Sequence, residues 1–515
     1  MAATNDSQDL PRAGQAPARL TDTGCQRVLE RIQRLDPRDA EATAADLIAE
    51  LEQHALPRLR FALRERLLEA IGAMCFQVLP GLQASLQGSA APLDARYRTL
   101  YELADTLLER LDQGYRDLLD GQTQRLFGMA SRGHALLPLV RSMQIGHERL
   151  ALAWNAWSRP PRGLWIRMHA LYHLAASRGL ARRALAGGET SPEILYKRAL
   201  LTAFADPYHF MPGEYASARS LIDTHAGLAQ LAQSREGQRR AGLFVVRSGR
   251  DHAGYAASKA YQTTPRPDDL VLDAAPAAAA IAAAITTPRS GDALGAHQMG
   301  ERLALRWGSP PARRSSRLGV HTRVALRTGL EAIWLQLAEG TQPGEGLSQW
   351  LITNEAAEGC SLLHLSGSAL PIHPGDLISL APLEVPGLHV GIVRWIRARS
   401  KSQIEVGIET LSSHARAVRL HAKPHSTEAD PAICAVKALL LPDDPHQNRC
   451  ASIVMPIVMP TGSGEDSAEM TLIDRQSQLV IRPTGLLERL PRLQRVQFSP
   501  GPHRAEGDSS RLASG

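Results

Sequence analysis

The stretch QIEVGIETL (residues 403–411) alternates between apolar side chains and positions that are charged or lack a side chain. Ile404, Val406 and Ile408 fall on one face, and the positions between them are Glu or Gly. This period of two predicts an antiparallel strand with one buried face. It is the last of seven short β-like runs, the first being HTRVALRTG at residue 321, and turn-forming residues separate them. We therefore expect a small antiparallel barrel.

The rest of the chain has a different character, and 515 residues exceed one ordinary domain. Apolar residues recur with helical spacing before the strands begin. We predict a multidomain α+β protein with an all-helical N-terminal domain, a mixed α/β segment, a six-stranded antiparallel barrel and a second small β domain. The expected bounds are a disordered segment at 1–20, the helical domain at 21–235, the mixed segment and linker at 236–308, the barrel at 309–425, the second β domain at 426–500 and a disordered tail at 501–515.

Two local signals refine the helical assignment. Ser191 followed by Pro192 is typical of an N-cap and a first-turn proline. The Ala-rich stretch 275–285 is too short to span a bilayer, so we expect it to be a buried helix.

Composition limits the location of the protein. The net charge is +6, and the five cysteines are scattered without a CxxC pair, which argues against a secreted disulfide framework. The first 20 residues lack the apolar core of a signal peptide, and no stretch approaches 18 apolar residues. We expect a cytoplasmic protein without a membrane span.

Catalytic and metal-binding motifs are weak in this sequence. A P-loop, a GxSxG elbow and a GxGxxG turn are missing. His169 and His173 are four residues apart, but the glutamate of HExxH is lacking, so packing histidines are expected rather than a metal site. Trp154, Trp157 and Trp165 lie near arginines, and we expect core packing rather than a stacking surface. The prediction is a protein that is not an enzyme and binds no metal or cofactor.

An arginine-rich stretch remains. Seven arginines and no acidic residue occur between Arg302 and Arg327. Within it, Arg313, Arg314 and Arg317 form an RxxxR pattern. Guanidinium groups donate paired hydrogen bonds to phosphate oxygens and to the O6 and N7 edge of guanine. Alone, the pattern is more typical of a solvated basic surface.

The context of the arginines carries a family resemblance. The sequence NEAAEG begins at Asn354, directly after a predicted strand, and VGIVRW and VGIETL follow. Residues 309–412 resemble a PilZ domain, a six-stranded bacterial barrel that binds cyclic di-GMP. Its signature is RxxxR, then D/N-x-S-x-x-G, then late strands with V-x-W and V-G-V-x-F patterns. Residues that match or occupy this signature are Arg313, Arg314, Arg317, Asn354, Ala356, Gly359, Trp395 and Gly407.

The resemblance implies a cytoplasmic receptor whose arginines clasp phosphates and guanine edges while Asn354 and Gly359 line a base. It also implies that the helical domain passes the signal to a protein partner. Position 356 departs from the signature, because the family has Ser where this chain has Ala356. Loss of one neutral hydrogen bond weakens binding about three- to tenfold.

Two alternatives remain open. Ala356 and the long loop around 339–348 are also consistent with a degenerate barrel that binds no nucleotide and docks a protein. Binding of an RNA or DNA polymer is disfavoured, because residues 309–330 lack the aromatic side chains that single-stranded nucleic acid stacks on.

Overall fold

The computed structural model describes most of the chain in sixteen segments. These are residues 22–53, 59–125, 132–188, 190–235, 240–259, 266–285, 293–309, 316–340, 348–367, 370–384, 387–400, 403–422, 435–445, 449–457, 469–474 and 478–500. The predicted disordered segments at 1–20 and 501–515 lie outside them. The predicted fold class is confirmed, because a helical region precedes two closed six-stranded antiparallel barrels.

The N-terminal region is built from eight helices within the described residues. They are α1 (Asp22–Arg34), α2 (Ala40–Gln53), α3 (Phe61–Leu86), α4 (Ala95–Arg125), α5 (Arg132–Asn155), α6 (Leu164–Ser177), α7 (Pro192–Phe204) and α8 (Glu214–His225). Helices α1 to α4 enclose one apolar core, and α5 to α8 contribute to a second. The predicted start of α7 is confirmed, since the Ser191 side chain accepts a hydrogen bond from the Ile194 amide.

Helix α3 is the one described helix that is long and apolar enough to cross a membrane. Leu67, Leu68 and Ile71 are among its residues that are fully buried in the core shared with α1, α2 and α4. Packing inside a helical core therefore accounts for its hydropathy.

A small four-stranded antiparallel sheet closes the helical region. Its strands are β1 (Gln230–Gln233), β2 (Leu243–Val246), β3 (Tyr255–Ala256) and β4 (Leu270–Asp273), in the order β1-β4-β2-β3. Helices α9 (Ala275–Ala284) and α10 (Ala293–Gly308) follow. Ala277, Ala278 and Ile281 of α9 are buried in the core of α5 to α8, whereas four of its alanines are exposed. The expected buried helix therefore buries one face.

The first barrel closes in the strand order β10-β7-β6-β5-β8-β9. Its strands are β5 (Thr322–Thr328), β6 (Gln349–Ala356), β7 (Gly359–Ser366), β8 (Leu377–Pro382), β9 (His389–Ala398) and β10 (Ile404–Ser412). The alternation in β10 is realised as predicted, since Ile404, Val406 and Ile408 are buried in the barrel interior.

One of the seven predicted strands was wrong, because residues 332–339 belong to helix α11 (Leu330–Glu339). The apolar residues of this segment also have helical spacing. Gly340 ends the helix in a left-handed conformation, and its amide donates a hydrogen bond to the Gln336 carbonyl. Ile333 and Trp334 pack into an apolar cluster between the two barrels. The local sequence fits both the helical period and the strand period, and this packing decides in favour of the helix.

The second barrel closes in the order β11-β12-β13-β16-β15-β14. Its strands are β11 (Arg416–Ala422), β12 (Ala435–Leu441), β13 (Ser452–Pro456), β14 (Met470–Ile473), β15 (Gln478–Arg489) and β16 (Leu493–Pro500). Strand β11 lies within the range 309–425 that the sequence assigned to the first barrel, yet it pairs only with β12 and β14 among the described strands.

Candidate functional site

Four neighbouring strands of the first barrel place a row of residues on its outer face. Asn354 on β6 is opposite Ser361 on β7, which is opposite Gly407 on β10, which is opposite Trp395 on β9. The residues that alternate with this row, such as Leu362 and Val406, face the barrel core. We call Asn354, Ser361, Gly407 and Trp395 the outer row. The register therefore places Asn354 and Trp395 at the two ends of one row, with Ser361 and Gly407 between them, although 41 positions separate them in the chain.

The arginine segment reaches the outer row from one side. Leu318 forms an antiparallel bridge with Glu355, and both amides donate to the opposite carbonyl, at 2.8 and 2.9 Å. This bridge holds the preceding residue, Arg317, beside β6 and β7. Nη1 of Arg317 lies 3.5 Å from the Ser361 hydroxyl, and the arginine is otherwise exposed. Arg313 and Arg314 lie outside the described residues.

Asn354 is half-buried, with an unsatisfied acceptor. A bulge in β6 between Ile352 and Asn354 shifts the pairing with β7. The Oδ1 atom of Asn354 is buried and has no hydrogen-bond partner in the described part of the chain. A buried acceptor without a donor costs stability, and such atoms are uncommon in folded proteins. The arrangement leaves this oxygen for a donor from outside the barrel.

The hairpin between β6 and β7 carries the remaining signature positions. Ala356 pairs with Gly359 across the turn, and both are half-buried. A β-carbon on Gly359 would overlap the carbonyl oxygen of Ile408 on β10. Strand packing therefore requires glycine here, whatever its predicted contact with a base. Ala356 contributes a methyl group where a hydroxyl would extend the polar surface.

Trp395 ends the outer row with an aromatic surface. Its indole lies over Gly407, where a β-carbon would overlap the ring nitrogen. The guanidinium carbon of Arg397 lies 5.8 Å from the ring centroid. Arg397 also donates to Glu405 at 2.8 Å, and Arg399 donates to the same carboxylate. Glu405 is nearly buried, which raises its pKa, but the two arginines outweigh burial and the net pKa is lowered. It is therefore ionised and orients the arginines.

The sequence reasoning missed Ser361, Arg397 and Glu405. Ser361 is 1% exposed and lies next to Cys360, which faces the barrel interior. The alternation of β7 contained the signal, because Ser361 follows the signature glycine by two positions and shares its face. The pairing of Arg397 with Glu405 depends on the register of β9 and β10 and had no local signal.

The other candidate residues have structural partners. His169 is buried, with Nδ1 at 2.5 Å from the Tyr196 hydroxyl and Nε2 at 3.1 Å from the His252 carbonyl. Nε2 of His173 lies 2.6 Å from the Ser248 hydroxyl. Among the residues that the structure describes, no three His, Cys, Asp or Glu side chains cluster as metal ligands. Trp154, Trp157 and Trp165 are buried, which confirms the expectation of core packing.

The helical region also reaches the first barrel. Ala91 and Trp157 belong to its apolar core, and Ala91 forms an antiparallel bridge with Ile372. The carbonyl of Trp157 accepts a 2.8 Å hydrogen bond from the amide of Ala398, the last residue of β9. The strand that carries Trp395 thus ends against the helical region.

Comparison with known proteins adds one similarity. No curated protein sequence matches the chain. Residues 23–236 match the model of a family described as "Cyclic-di-GMP receptor FimW, N-terminal domain". The match covers helices α1 to α8 and less than half of the 515 residues, and both barrels lie outside it. The helical region is therefore similar to the N-terminal domain of a cyclic di-GMP receptor.

Proposed function

We propose that this protein is a cyclic di-GMP receptor of the PilZ type, with the ligand on the outer face of the first barrel. The observation that carries the proposal is the outer row together with Arg317 beside it. The similarity of the helical region to the N-terminal domain of such a receptor supports it independently. The closed six-stranded barrel supports the PilZ relationship.

The chemistry of the outer row suits a dianionic ligand with two guanine bases. Arg317, with Arg313 and Arg314 ahead of it, would donate to phosphate oxygens and to guanine O6 and N7. The unpaired Oδ1 of Asn354 would accept from a guanine N–H group. The indole of Trp395 offers an apolar flank for a base or ribose. None of these contacts requires bond making, so we propose binding rather than catalysis.

Strand β9 provides a route from this surface to the helical region. Trp395 lies on β9, and three residues later Ala398 donates to the Trp157 carbonyl. Trp157 is 6% exposed and its ring stands edge-on to His373, with ring centroids 6.0 Å apart. A shift of β9 on ligand binding would therefore change the packing of Trp157 in the apolar core of the first barrel. We propose that this contact passes the signal to the helical domain, which engages a protein partner in the cytoplasm.

Calorimetric titration of cyclic di-GMP into the full chain tests the proposal. We expect micromolar or tighter binding for the wild type, and its loss in Arg313→Ala/Arg317→Ala, because Arg–phosphate pairs supply most of the electrostatic attraction. Arg416→Ala is the matched control, since Arg416 is an exposed arginine of the second barrel that pairs with Asp474. It removes one charge from the other barrel and should leave the affinity unchanged.

The docking-platform alternative makes the opposite prediction. A wild type that gives neither heat nor a thermal shift with about 100 μM ligand would contradict the receptor proposal, because a dissociation constant of that size corresponds to a binding free energy of about −5.5 kcal/mol. Equal affinities of wild type and Arg313→Ala/Arg317→Ala would place the ligand elsewhere. Ala356→Ser distinguishes a weakened receptor from a degenerate one, because only a receptor gains affinity from the restored hydroxyl.

A further inference from the structure

A polar cleft of about 340 Å³ opens in the helical region, away from the barrels. Helices α5, α7 and α8 form its walls, and the loop around 185–188 forms its rim. All of these residues lie within the segment that matches the receptor family, yet the outer row is on a different domain. Cavities of this size hold small organic ligands.

Each of the three helices contributes one arginine, and a carboxylate fixes each arginine. Nε and Nη2 of Arg141 donate to Glu69 at 3.0 and 2.8 Å. Nε of Arg198 lies 2.9 Å from Asp223, and Arg219 contacts Glu148 through both Nη atoms. Guanidinium has five N–H donors in a rigid fork, so each group keeps donors beyond those its carboxylate uses. The side chains are thus oriented in advance of any ligand.

The buried carboxylate of the cleft is ionised. Glu148 is 5% exposed, and it accepts from Gln83 as well as from Arg219. Burial raises its pKa, but hydrogen bonds from Arg219 outweigh burial and the net pKa is lowered. The three arginines of the lining are thus balanced by the three carboxylates of Glu69, Glu148 and Asp223. The attraction of the cleft for an oxyanion therefore comes from the guanidinium N–H donors that these carboxylates do not use.

His147 adds a further polar group to the lining. The residue is 4% exposed and lines the cleft. Burial lowers the pKa of His147, and the positive charges of Arg219 and Arg198 lower it further. The negative charges of Glu148 and Asp223 raise it by less, so the net pKa is lowered. A neutral imidazole presents one donor and one acceptor. The ring therefore offers a bound molecule a hydrogen-bond donor or acceptor beside the guanidinium donors.

We propose that this cleft is a second ligand site, which binds a small organic oxyanion, a phosphate monoester or a carboxylate, no larger than a mononucleotide. Arg198 and Arg219 hold the oxyanion, and His147 hydrogen-bonds the body of the ligand. The volume leaves room for more than an inorganic ion, and the polar lining favours a body with both donors and acceptors.

The test uses the full chain and a panel of probes: inorganic phosphate, GMP, citrate and cyclic di-GMP. We expect GMP or citrate to raise the melting temperature and bind with a dissociation constant of millimolar or tighter, and inorganic phosphate to bind more weakly than GMP. Arg198→Gln and His147→Phe should each weaken this binding at least tenfold. His147→Phe keeps a buried aromatic ring without hydrogen bonds, so it remains informative if Arg198→Gln fails to fold.

Arg182→Gln is the matched control for loss of one paired arginine in the same region. Arg182 is 84% exposed, it lies outside the cleft lining, and its partner Glu193 keeps Lys197. Absence of binding of every probe at millimolar concentration would overturn the proposal. Binding that survives both cleft variants would overturn it as well.

The cyclic di-GMP arm separates this site from the outer row. If Arg317→Ala loses cyclic di-GMP binding and Arg198→Gln retains it, cyclic di-GMP binds at the barrel. Binding of GMP and citrate then decides whether the cleft is a separate ligand site. The reverse pattern would support an oxyanion site in the cleft and overturn the proposed function of the barrel.

Discussion

The indole of Trp395 occupies the space that a side chain at Gly407 would need. A β-carbon on Gly407 would overlap Nε1 and the adjacent ring carbons of Trp395, on the strand next to it. The glycine thus determines how closely the aromatic ring lies against the outer face of the barrel. Trp395 was predicted as a ligand residue from sequence, and its placement depends on this neighbour.

Gly407→Ala should therefore displace the Trp395 indole. We expect a loss of about 1–3 kcal/mol in unfolding free energy from overpacking, and at least a tenfold loss of cyclic di-GMP affinity. Thermal melts and calorimetry measure the two effects. Gly387→Ala is the control, because a β-carbon there meets open space. Unchanged affinity in Gly407→Ala would show that the ring position does not matter for binding.

Ser361 should substitute in part for the hydroxyl that Ala356 lacks. Its Oγ atom is within 3.5 Å of Arg317 and faces the same side as Asn354. Ser361→Ala should lower the affinity for cyclic di-GMP about three- to tenfold, which corresponds to the loss of one hydrogen bond. Ala356→Ser should restore about the same factor in the Ser361→Ala background. A Ser361→Ala protein with wild-type affinity would contradict this role.

Trp157 should couple the helical region to the first barrel. It is buried in the barrel core and holds a φ of 48°, which is unfavourable for a residue with a side chain. Trp157→Ala should cost about 3–5 kcal/mol in unfolding free energy. It should also abolish any ligand-dependent change in proteolysis of the helical region. Trp154→Ala is matched, because Trp154 is equally buried but packs within the helical core; it should keep the ligand-dependent change.

Arg394 should hold the two barrels together. It donates to Glu409 of β10 at 2.7 Å and to both carboxylate oxygens of Glu488 on β15. Burial opposes its charge, but both carboxylates raise the pKa of Arg394, so it stays ionised. Arg394→Ala should lower the free energy of unfolding, measured in urea, by about 1.5–3 kcal/mol, because two carboxylates lose a charged donor. Arg482→Ala breaks an exposed pair with Glu469 and should cost less than about 1 kcal/mol.

Stability should fall between pH 6.5 and pH 4 because of His169. Burial lowers the pKa of His169 from 6.5 to about 4. The unfolded chain therefore binds more protons than the folded chain in this window, and protonation favours unfolding as the pH falls. The loss at pH 5 relative to pH 7 should be about 2 kcal/mol from this group. His147, whose pKa is also lowered, acts in the same direction.

Urea unfolding at pH 7 and pH 5 measures the effect. His169→Gln should reduce the difference between the two pH values, whatever its stability at pH 7. Tyr196→Phe removes the hydroxyl that contacts Nδ1 but keeps the imidazole, so its pH dependence should remain. A His169→Gln protein with the full wild-type difference would contradict the assignment.

Short-range patterns in the chain were sufficient for much of the architecture. Alternation identified β10 and the neighbouring strands, because successive side chains on a strand face opposite sides. Ser191 identified the start of α7, because an N-cap is made by residues three apart. The class of the fold followed from such local patterns. The same patterns failed at α11, where apolar residues fit a helix and a strand equally well.

The sequence by itself determined that strands follow helices and that Arg317, Asn354, Ala356, Gly359 and Trp395 occupy signature positions. Only the tertiary structure decided that residues 330–339 are helical, that Arg416–Ala422 closes the second barrel, and that Ser361 and Gly407 stand between Asn354 and Trp395. These outcomes depend on which strands pair and in what register. Pairing joins residues far apart in the chain, and its free energy comes from burying the shared cores rather than from any local preference.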